Sequence, residues 1–261
     1  RACISNPALP AANARLTDRT AELRAANERL TDLDRMKNEF MTRMSHELRT
    51  PLTSIKIYIE LLETAKPEKR EKYLQTLTRE ANRLHVLVED VLTITQLSQN
   101  TLGMELGSAD LNQVLESRQA AWQTLAAQRT LAFQTDLAPA LPPAWLDNLR
   151  TLQVVTLLIN NATSYTLAGS ITLATAARSD DAGQWLTVSV TDTGPGITPA
   201  DLPHIFERFY RGRAAADFKT PGTGVGLSIG REIAEKMGGR LTVETQVGVG
   251  STFSLWLKTA E

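Results

Sequence analysis

The chain has 261 residues, which at about 100 to 200 residues per domain reads as two domains rather than one. Its 28 basic residues nearly cancel its 29 acidic ones, so no whole-chain field marks it for nucleic acid or an anionic membrane. With 42% hydrophobic and 22% charged residues it has a globular composition, which excludes general disorder. No window reaches the ~18 consecutive apolar residues of a bilayer-spanning helix, and no charged-then-apolar signal segment opens the chain. The lone cysteine, Cys3, rules out an intrachain disulfide and a cysteine-based zinc site. Arg1 in place of an initiating methionine reads as the start of a fragment.

Residues 1 to 13 carry Pro7 and Pro10 without any period and read as a frayed leader. From there Leu16, Leu23 and Leu30 recur every seven residues, with Ala26, Leu33 and Phe40 interleaved and Met44 continuing the first series. This is a coiled-coil seam, imperfect at Arg19 and Lys37, and it predicts a long amphipathic helix from about residue 14 to Glu63. Pro51 lies inside that helix and lacks the N–H that would reach the carbonyl of Glu47, so a kink is expected there. Ala65-Lys66-Pro67-Glu68 interrupts the pattern. A second helix, from about Arg70 to Gln99, places Leu74, Leu77, Ala81, Leu84, Val88, Val91 and Leu92 on one stripe. Two helices joined by a short turn form an antiparallel hairpin that cannot bury its apolar face alone. The expectation is an all-α helical hairpin that completes a four-helix bundle with a second copy of the chain.

Past Leu102-Gly103 the pattern changes to α+β. Helices are predicted at 111 to 127, 147 to 163 and 226 to 237, the last ending at Gly238-Gly239. Strands are predicted at 171 to 177, 185 to 191, 240 to 246 and 251 to 258, the last two turning at Gly248-Val249-Gly250. Helices gathered against strands that pair mainly as hairpins imply an α+β sandwich.

Of the three histidines, His85 sits among leucines of the second helix and His204 follows Pro203 in a loop. His46 stands in Ser45-His46-Glu47-Leu48-Arg49-Thr50-Pro51, where an adjacent carboxylate can orient one ring nitrogen and leave the other as a nucleophile. Thr50 lies one helical turn further on the same face. In the second domain, Leu186, Val188, Val190 and Asp192 share one face of a strand, so the Asp192 carboxylate follows three apolar residues inward and needs a donor. Thr193-Gly194-Pro195-Gly196-Ile197 follows at once, and a bare backbone turn beside a buried acceptor suits an adenine amino group. Gly222-Thr223-Gly224-Val225-Gly226-Leu227 runs into a helix whose first N–H groups can bind phosphate. Leu157, Asn161 and Tyr165 are spaced by four on one helix face, and the amide oxygen of Asn161 can ligate hydrated magnesium. The roughly 24 residues between Ile197 and Gly222 read as a mobile lid, with aromatics of Phe206-Glu207-Arg208-Phe209-Tyr210-Arg211 to anchor it and its basic groups to face phosphate.

In order and spacing these segments resemble a sensor histidine kinase of two-component signalling, from about Asp34 to Lys258. FMTRMSHELRTPL is similar to the family's phosphoacceptor helix. NNATSYT resembles its asparagine box, DTGPGI its first glycine box, IFERFY its phenylalanine box and GTGVGLSI its second glycine box, with GVGSTF closing the series. The resemblance implies a leader and signalling helix over 1–35, a dimerisation and phosphotransfer domain over 36–102, and a Bergerat/GHKL-type ATP-binding domain over 103–261. It implies that His46 is phosphorylated by Mg-ATP with help from Glu47, and that the phosphoryl group passes to an aspartate of a response regulator. The same protein would also dephosphorylate that regulator, with Thr50 as a third catalytic residue. The nucleotide-binding residues implied are Asn161, which also holds Mg²⁺, with Tyr165, Asp192, Gly194, Gly196, Arg211, Gly222, Gly224, Gly226 and Leu227. A homodimer in the cytoplasm is implied, with no nucleic-acid partner and any membrane anchor upstream of this segment.

Two positions depart from the family's pattern: Ser164 where a lysine or arginine is usual, and Leu157 where another asparagine is usual. Leu157 also stands where GHKL ATPases carry the glutamate that activates water, which disfavours a plain ATPase because leucine cannot take a proton. A degenerate kinase serving as a signalling scaffold is the non-enzymatic alternative; the intact His46, Asp192 and glycine boxes argue against it.

Overall fold

The structure, a computed structural model, describes residues 8–181, 183–212 and 224–260. Its first helix, α1, spans Ala8–Glu63 and so begins ahead of the expected start near residue 14. Pro10 is accommodated because a proline in the first turn removes an N–H that has no intrahelical acceptor. The chain divides into two units, residues 1–46 and 47–261, within this helix. In the first unit the seam residues Leu23 and Leu30 are 70% and 64% exposed, so one chain by itself leaves these two heptad positions uncovered, whereas Met44 further along the series is buried. Hydroxyls along the helix bond back to the preceding turn, as Thr42 Oγ1 does to the carbonyl of Asn38 at 3.0 Å and Ser45 Oγ to that of Met41 at 2.9 Å.

In the second unit α1 continues through the buried Pro51, and α2 spans Pro67–Ser98. Pro67 stands in the opening turn of α2, where its fixed φ suits the helix. The hairpin is pinned by Arg83 Nη2 donating to Glu47 Oε2 at 2.5 Å and by the rings of Tyr58 and Tyr73, 5.4 Å between centroids. The expected α2 stripe is largely open: Leu74, Val88 and Leu92 are exposed, whereas Leu87, Thr93 and Leu97 are buried. The periodicity identified an apolar face but not which neighbour covers it. Near its C-terminal end α2 lies against the α/β part, where Gln153 Nε2 donates to Thr93 Oγ1 at 3.3 Å.

That part comprises β1 (Gly107–Ala109), α3 (Leu111–Ala127), β2 (Ala132–Leu137), β3 (Ala144–Leu146), α4 (Asn148–Tyr165), β4 (Ser170–Asp180), β5 (Gly183–Asp192), α5 (Gly226–Lys236), β6 (Arg240–Gln246) and β7 (Gly250–Thr259). Asp110 and Asp147 cap α3 and α4, accepting from the backbone N–H of Gln113 at 3.1 Å and of Arg150 at 3.0 Å. The strands form one sheet in the order β1-β3-β7-β5-β4-β2, with β6 also paired to β7. Hairpins β4–β5 and β6–β7 are antiparallel as expected, and β5 pairs antiparallel with β7, but β2 joins β4 in parallel. The three-residue β1 and β3 and the polar edge strand β2 escape a periodicity reading because they are too short or too exposed to alternate.

One face of the sheet carries Ile171, Leu173, Leu186, Val188, Val190, Phe253, Leu255 and Leu257. Together with Leu115, Leu158, Ile159, Ile229 and Ile233 of the helices they form the core. On the other face hydroxyls pair across strands, Ser189 with Ser254 at 2.8 Å and Thr191 with Thr252 at 2.9 Å. There Arg240 stacks on Trp256 and Trp185, 4.1 and 4.7 Å from the ring centroids, and bonds Asp180 at 2.5 Å.

On α2, burial and then the neighbouring charge of Glu89 push the Asp90 carboxyl up from its ordinary 3.8 to about 6. The folded state therefore holds this proton more tightly than the unfolded chain does, and the resulting loss of stability is absent below pH 4 and complete above pH 6. Asp90→Asn should raise stability at pH 7 by about 1 to 2 kcal/mol, less than the full conversion of the shift because the side chain keeps some solvent. Urea denaturation of both proteins should show this advantage shrinking to nothing as the pH falls to about 4.

Candidate functional site

Strand β5 delivers Asp192 to the edge of the core, where the residue is only 7% exposed. Burial pushes its carboxyl upward, while the backbone N–H groups of Gly194 and Ser251 oppose that shift. The Gly194 N–H donates to Oδ1 at 2.8 Å, so the residue that opens the turn also satisfies the strand's terminal carboxylate. The turn then folds onto the β6–β7 connection: Gly248 N–H donates to the Pro195 carbonyl at 2.8 Å and Ile197 N–H to Thr245 Oγ1 at 2.9 Å. Gly196 has φ +70°, and a Cβ there would lie 2.3 Å from the Gln246 carbonyl oxygen, so the position is closed to side chains sterically as well as conformationally.

Helix α4 brings Leu157, Asn161 and Tyr165, each half-buried, along one side of this corner. The Tyr165 carbonyl lies 3.3 Å from the point where a Cβ on Gly194 would stand, and Leu157 Cδ2 lies 3.6 Å from the equivalent point on Gly226. The same helix thus touches the first glycine turn at its end and the start of α5 about two turns earlier. Burial raises the Tyr165 hydroxyl pKa, and the positive charge of Arg211 offsets part of that rise. Gly224 packs on the backbone that carries Arg211: its Cβ position is 2.7 Å from the Tyr210 carbonyl oxygen and 2.9 Å from Arg211 Cγ. Gly226 and Leu227 open α5, whose free N–H groups form an anion-favouring end. Gly222 lies outside the described residues. The corner therefore combines a buried carboxylate acceptor, a bare backbone turn, a helix N-terminus and a nearby guanidinium. That is the chemistry of a site for a ligand with an amino-bearing ring at one end and anionic groups at the other.

The segment expected to be a lid is described as far as residue 212, in turns, and residues 213–223 lie outside the description. Phe206 anchors it edge-on to Phe253, with centroids 6.4 Å apart. Arg208, expected to face phosphate, is committed elsewhere. Its Nε and Nη2 donate to the two Glu232 carboxylate oxygens at 2.6 Å each, and Nη1 donates to Ser98 Oγ on α2 at 2.7 Å. A guanidinium fork matches a carboxylate in two parallel bonds, and the Glu232 pair raises the Arg208 pKa further. Sequence spacing cannot reveal such a partner because Glu232 belongs to α5.

His46 and Thr50 are exposed on α1. Glu47 is held by Arg83, which the sequence reading missed. A signal for it exists: Glu47 and Arg83 are each eighteen residues from Ala65, so folding the hairpin about that turn sets them opposite one another. His204 pairs with Glu207 at 3.0 Å. Among the described residues no group of three or more His, Cys, Asp or Glu side chains could hold a metal ion. No helix of the described residues is long and apolar enough to cross a membrane.

Two family models match the chain. Residues 36–100 match the His Kinase A (phospho-acceptor) domain, and residues 146–261 match the histidine kinase-, DNA gyrase B- and HSP90-like ATPase. Drug sensory protein A of Synechocystis sp. is 36% identical over 236 residues, covering 86% of this chain and 35% of that protein. Among solved structures, the histidine kinase AdeS of Acinetobacter baumannii is 26% identical with a TM-score of 0.61, covering 83% of this chain and 98% of that one. Full-length ShkA in complex with AMPPNP is 28% identical with a TM-score of 0.61, covering 85% of this chain and 46% of that one. The chain spans between a fifth and just over half of the length of the first curated relatives it matches.

Gly196→Ala should lower stability by about 2 to 4 kcal/mol, combining strain at positive φ with a backbone clash. Because the turn also sets the Asp192 corner, ligand binding there should fail before the protein unfolds. A denaturation midpoint and a binding isotherm on the same preparation would separate the two effects.

Proposed function

Because this chain belongs to the sensor histidine kinases, with the family's phosphoacceptor and ATPase modules in order along it, we propose that it phosphorylates itself on His46 from ATP and passes the phosphoryl group to an aspartate of a response regulator. The observation that carries this reading is the corner in which Asp192, the Gly194–Gly196 turn and the N-terminus of α5 converge, since it suits an adenine at one end and phosphates at the other. The AMPPNP bound by ShkA supports ATP as the ligand. In the proposed reaction an imidazole nitrogen of His46 attacks the γ-phosphorus, the bond from that phosphorus to the bridging oxygen breaks, ADP leaves, and the imidazole proton passes to the Glu47 carboxylate. Arg83, bonded to Glu47, holds that carboxylate in place. Asn161, through its amide oxygen, would hold Mg²⁺, which when bound offsets triphosphate charge, and Arg211 and Tyr165 would border the phosphates.

The exposed leucines of α1 and α2 support the dimer: residues 1–35 would act as a leader and signalling helix and 36–102 as the dimerisation and phosphotransfer domain, completing a four-helix bundle from two copies, with 103–261 as the catalytic domain. Leu157 packs toward Gly226 where a water-activating carboxylate would have to stand, which favours phosphoryl transfer to histidine over ATP hydrolysis. Thr50, exposed on α1, has a hydroxyl that can donate and accept, and it would hold the water that attacks the regulator's acyl phosphate.

After incubation with Mg-ATP the protein should carry acid-labile, base-stable phosphate, and His46→Gln should abolish it while nucleotide affinity stays within about twofold, because acceptor and nucleotide corner are separate. Labelling that persists in the variant would place the acceptor elsewhere. Thr50→Ala should lose most dephosphorylation of the regulator and keep labelling of His46. Equal loss of both rates in one preparation would reduce Thr50 to shaping the backbone before Pro51.

A further inference from the structure

Thr166 follows the last residue of α4, where its N–H still bonds the Ala162 carbonyl at 3.0 Å. The residue is 3% exposed, and its Oγ1 is the one buried side-chain polar atom among the described residues with no hydrogen-bond partner. A hydroxyl in that condition carries a desolvation penalty that a ligand or an ordered water would relieve. Its position says which ligand. A Cβ built on Gly194 would lie 3.3 Å from Thr166 Oγ1 and 2.7 Å from Asp192 Oδ1, so the orphan hydroxyl and the buried carboxylate both border the same bare point of backbone.

The two groups differ in what they can offer. An ionised carboxylate only accepts, so Asp192 can serve a donor on the ligand and nothing else. The edge of adenine places an acceptor, ring nitrogen N1, beside its donor, the 6-amino group. A site with Asp192 alone leaves that acceptor unmatched, and Thr166 supplies an O–H with no other acceptor. We propose that Thr166 is the second half of the base reader: its hydroxyl donates to adenine N1, directly or through one water, while Asp192 accepts from the 6-amino group. This rests on the reading of the corner as the ATP site and adds to it a residue that sets base specificity. Guanine reverses both groups, presenting an acceptor at position 6 and a donor at N1. The carboxylate then faces an oxygen, and the threonine has no acceptor on the ring.

The test uses the full chain with Mg²⁺ and measures equilibrium binding of ATP, 1-deaza-ATP and GTP to the wild type, Thr166→Val and Thr166→Ser, alongside the melting temperature of each ligand-free protein. Valine keeps the shape and removes the hydroxyl. Its ATP affinity should fall roughly five- to tenfold, the effect of one neutral hydrogen bond, and serine should restore it. 1-Deaza-ATP, which lacks the N1 acceptor, should bind the wild type more weakly than ATP by a similar factor and should bind wild type and valine variant alike. The ligand-free valine variant should melt no lower than the wild type, since an orphan hydroxyl has been replaced by a methyl. ATP binding equally well to the wild type and the valine variant would overturn the inference, as would a valine variant that melts lower and loses ATP and 1-deaza-ATP equally. Failure of the wild type to bind ATP at all would instead sink the reading of the corner as a nucleotide site.

Discussion

A carboxylate buried at the end of a central strand is costly unless donors reach it, and the α/β part of this protein is arranged around meeting that demand for Asp192. One donor comes from Gly194, two residues on, and another from the backbone of Ser251, which is opposite Asp192 in the β5–β7 ladder. That pairing in turn requires a bare residue at the start of β7. Gly250 has φ +142°, and a Cβ on it would come 1.9 Å from the Asp192 carbonyl oxygen. Strand register, turn and β6–β7 hairpin are therefore coupled through one acidic side chain, and the geometry that satisfies it also builds the corner proposed as the nucleotide site.

The helices meet this arrangement from the other side. α4 spans the distance between the two glycine segments, with Tyr165 and Thr166 at one and Leu157 at the other, so its length and face set how far apart those two segments are held. α5 joins the same site to α2 through the Arg208–Glu232 fork and Ser98, with Lys236 bonded to Asn100 just beyond the end of α2. Arg208 is the point at which the phenylalanine-rich segment, α5 and α2 are held together. Charge-assisted bonds of this kind are strong when bidentate, and this one is only partly exposed.

Where an element is long and strongly periodic, its residues announce it. The α3 pattern matched Leu111–Ala127, and β6 matched Arg240–Gln246, because capping by Asp110 and the Gly238-Gly239 stop are local signals. Short strands were silent for the opposite reason: β1 and β3 contain too few residues to show alternation, and they are strands only because longer neighbours supply hydrogen-bond partners. The stripe on α2 was legible as an apolar face, yet its Leu74, Val88 and Leu92 are exposed and a different line, Leu87, Thr93 and Leu97, is the covered one. Periodicity reports amphipathicity and is blind to which partner claims it.

The sequence by itself determined the helical and α+β character, the family, and the residue types at the candidate site, because caps, glycine turns, the inward alternation ending in Asp192 and the Ser45–Pro51 segment are all local patterns. Only the tertiary structure decided which groups are engaged with one another. Arg208 turned out to bind Glu232, Glu47 to bind Arg83, and Thr166 to be buried without a partner beside Asp192. The two pairs depend on side chains far apart in the chain being brought within hydrogen-bond distance, and the orphan hydroxyl on surroundings that bury it without offering such a partner. Hydrogen bonding and burial are short-range effects set by that approach, so the residue types alone leave them open.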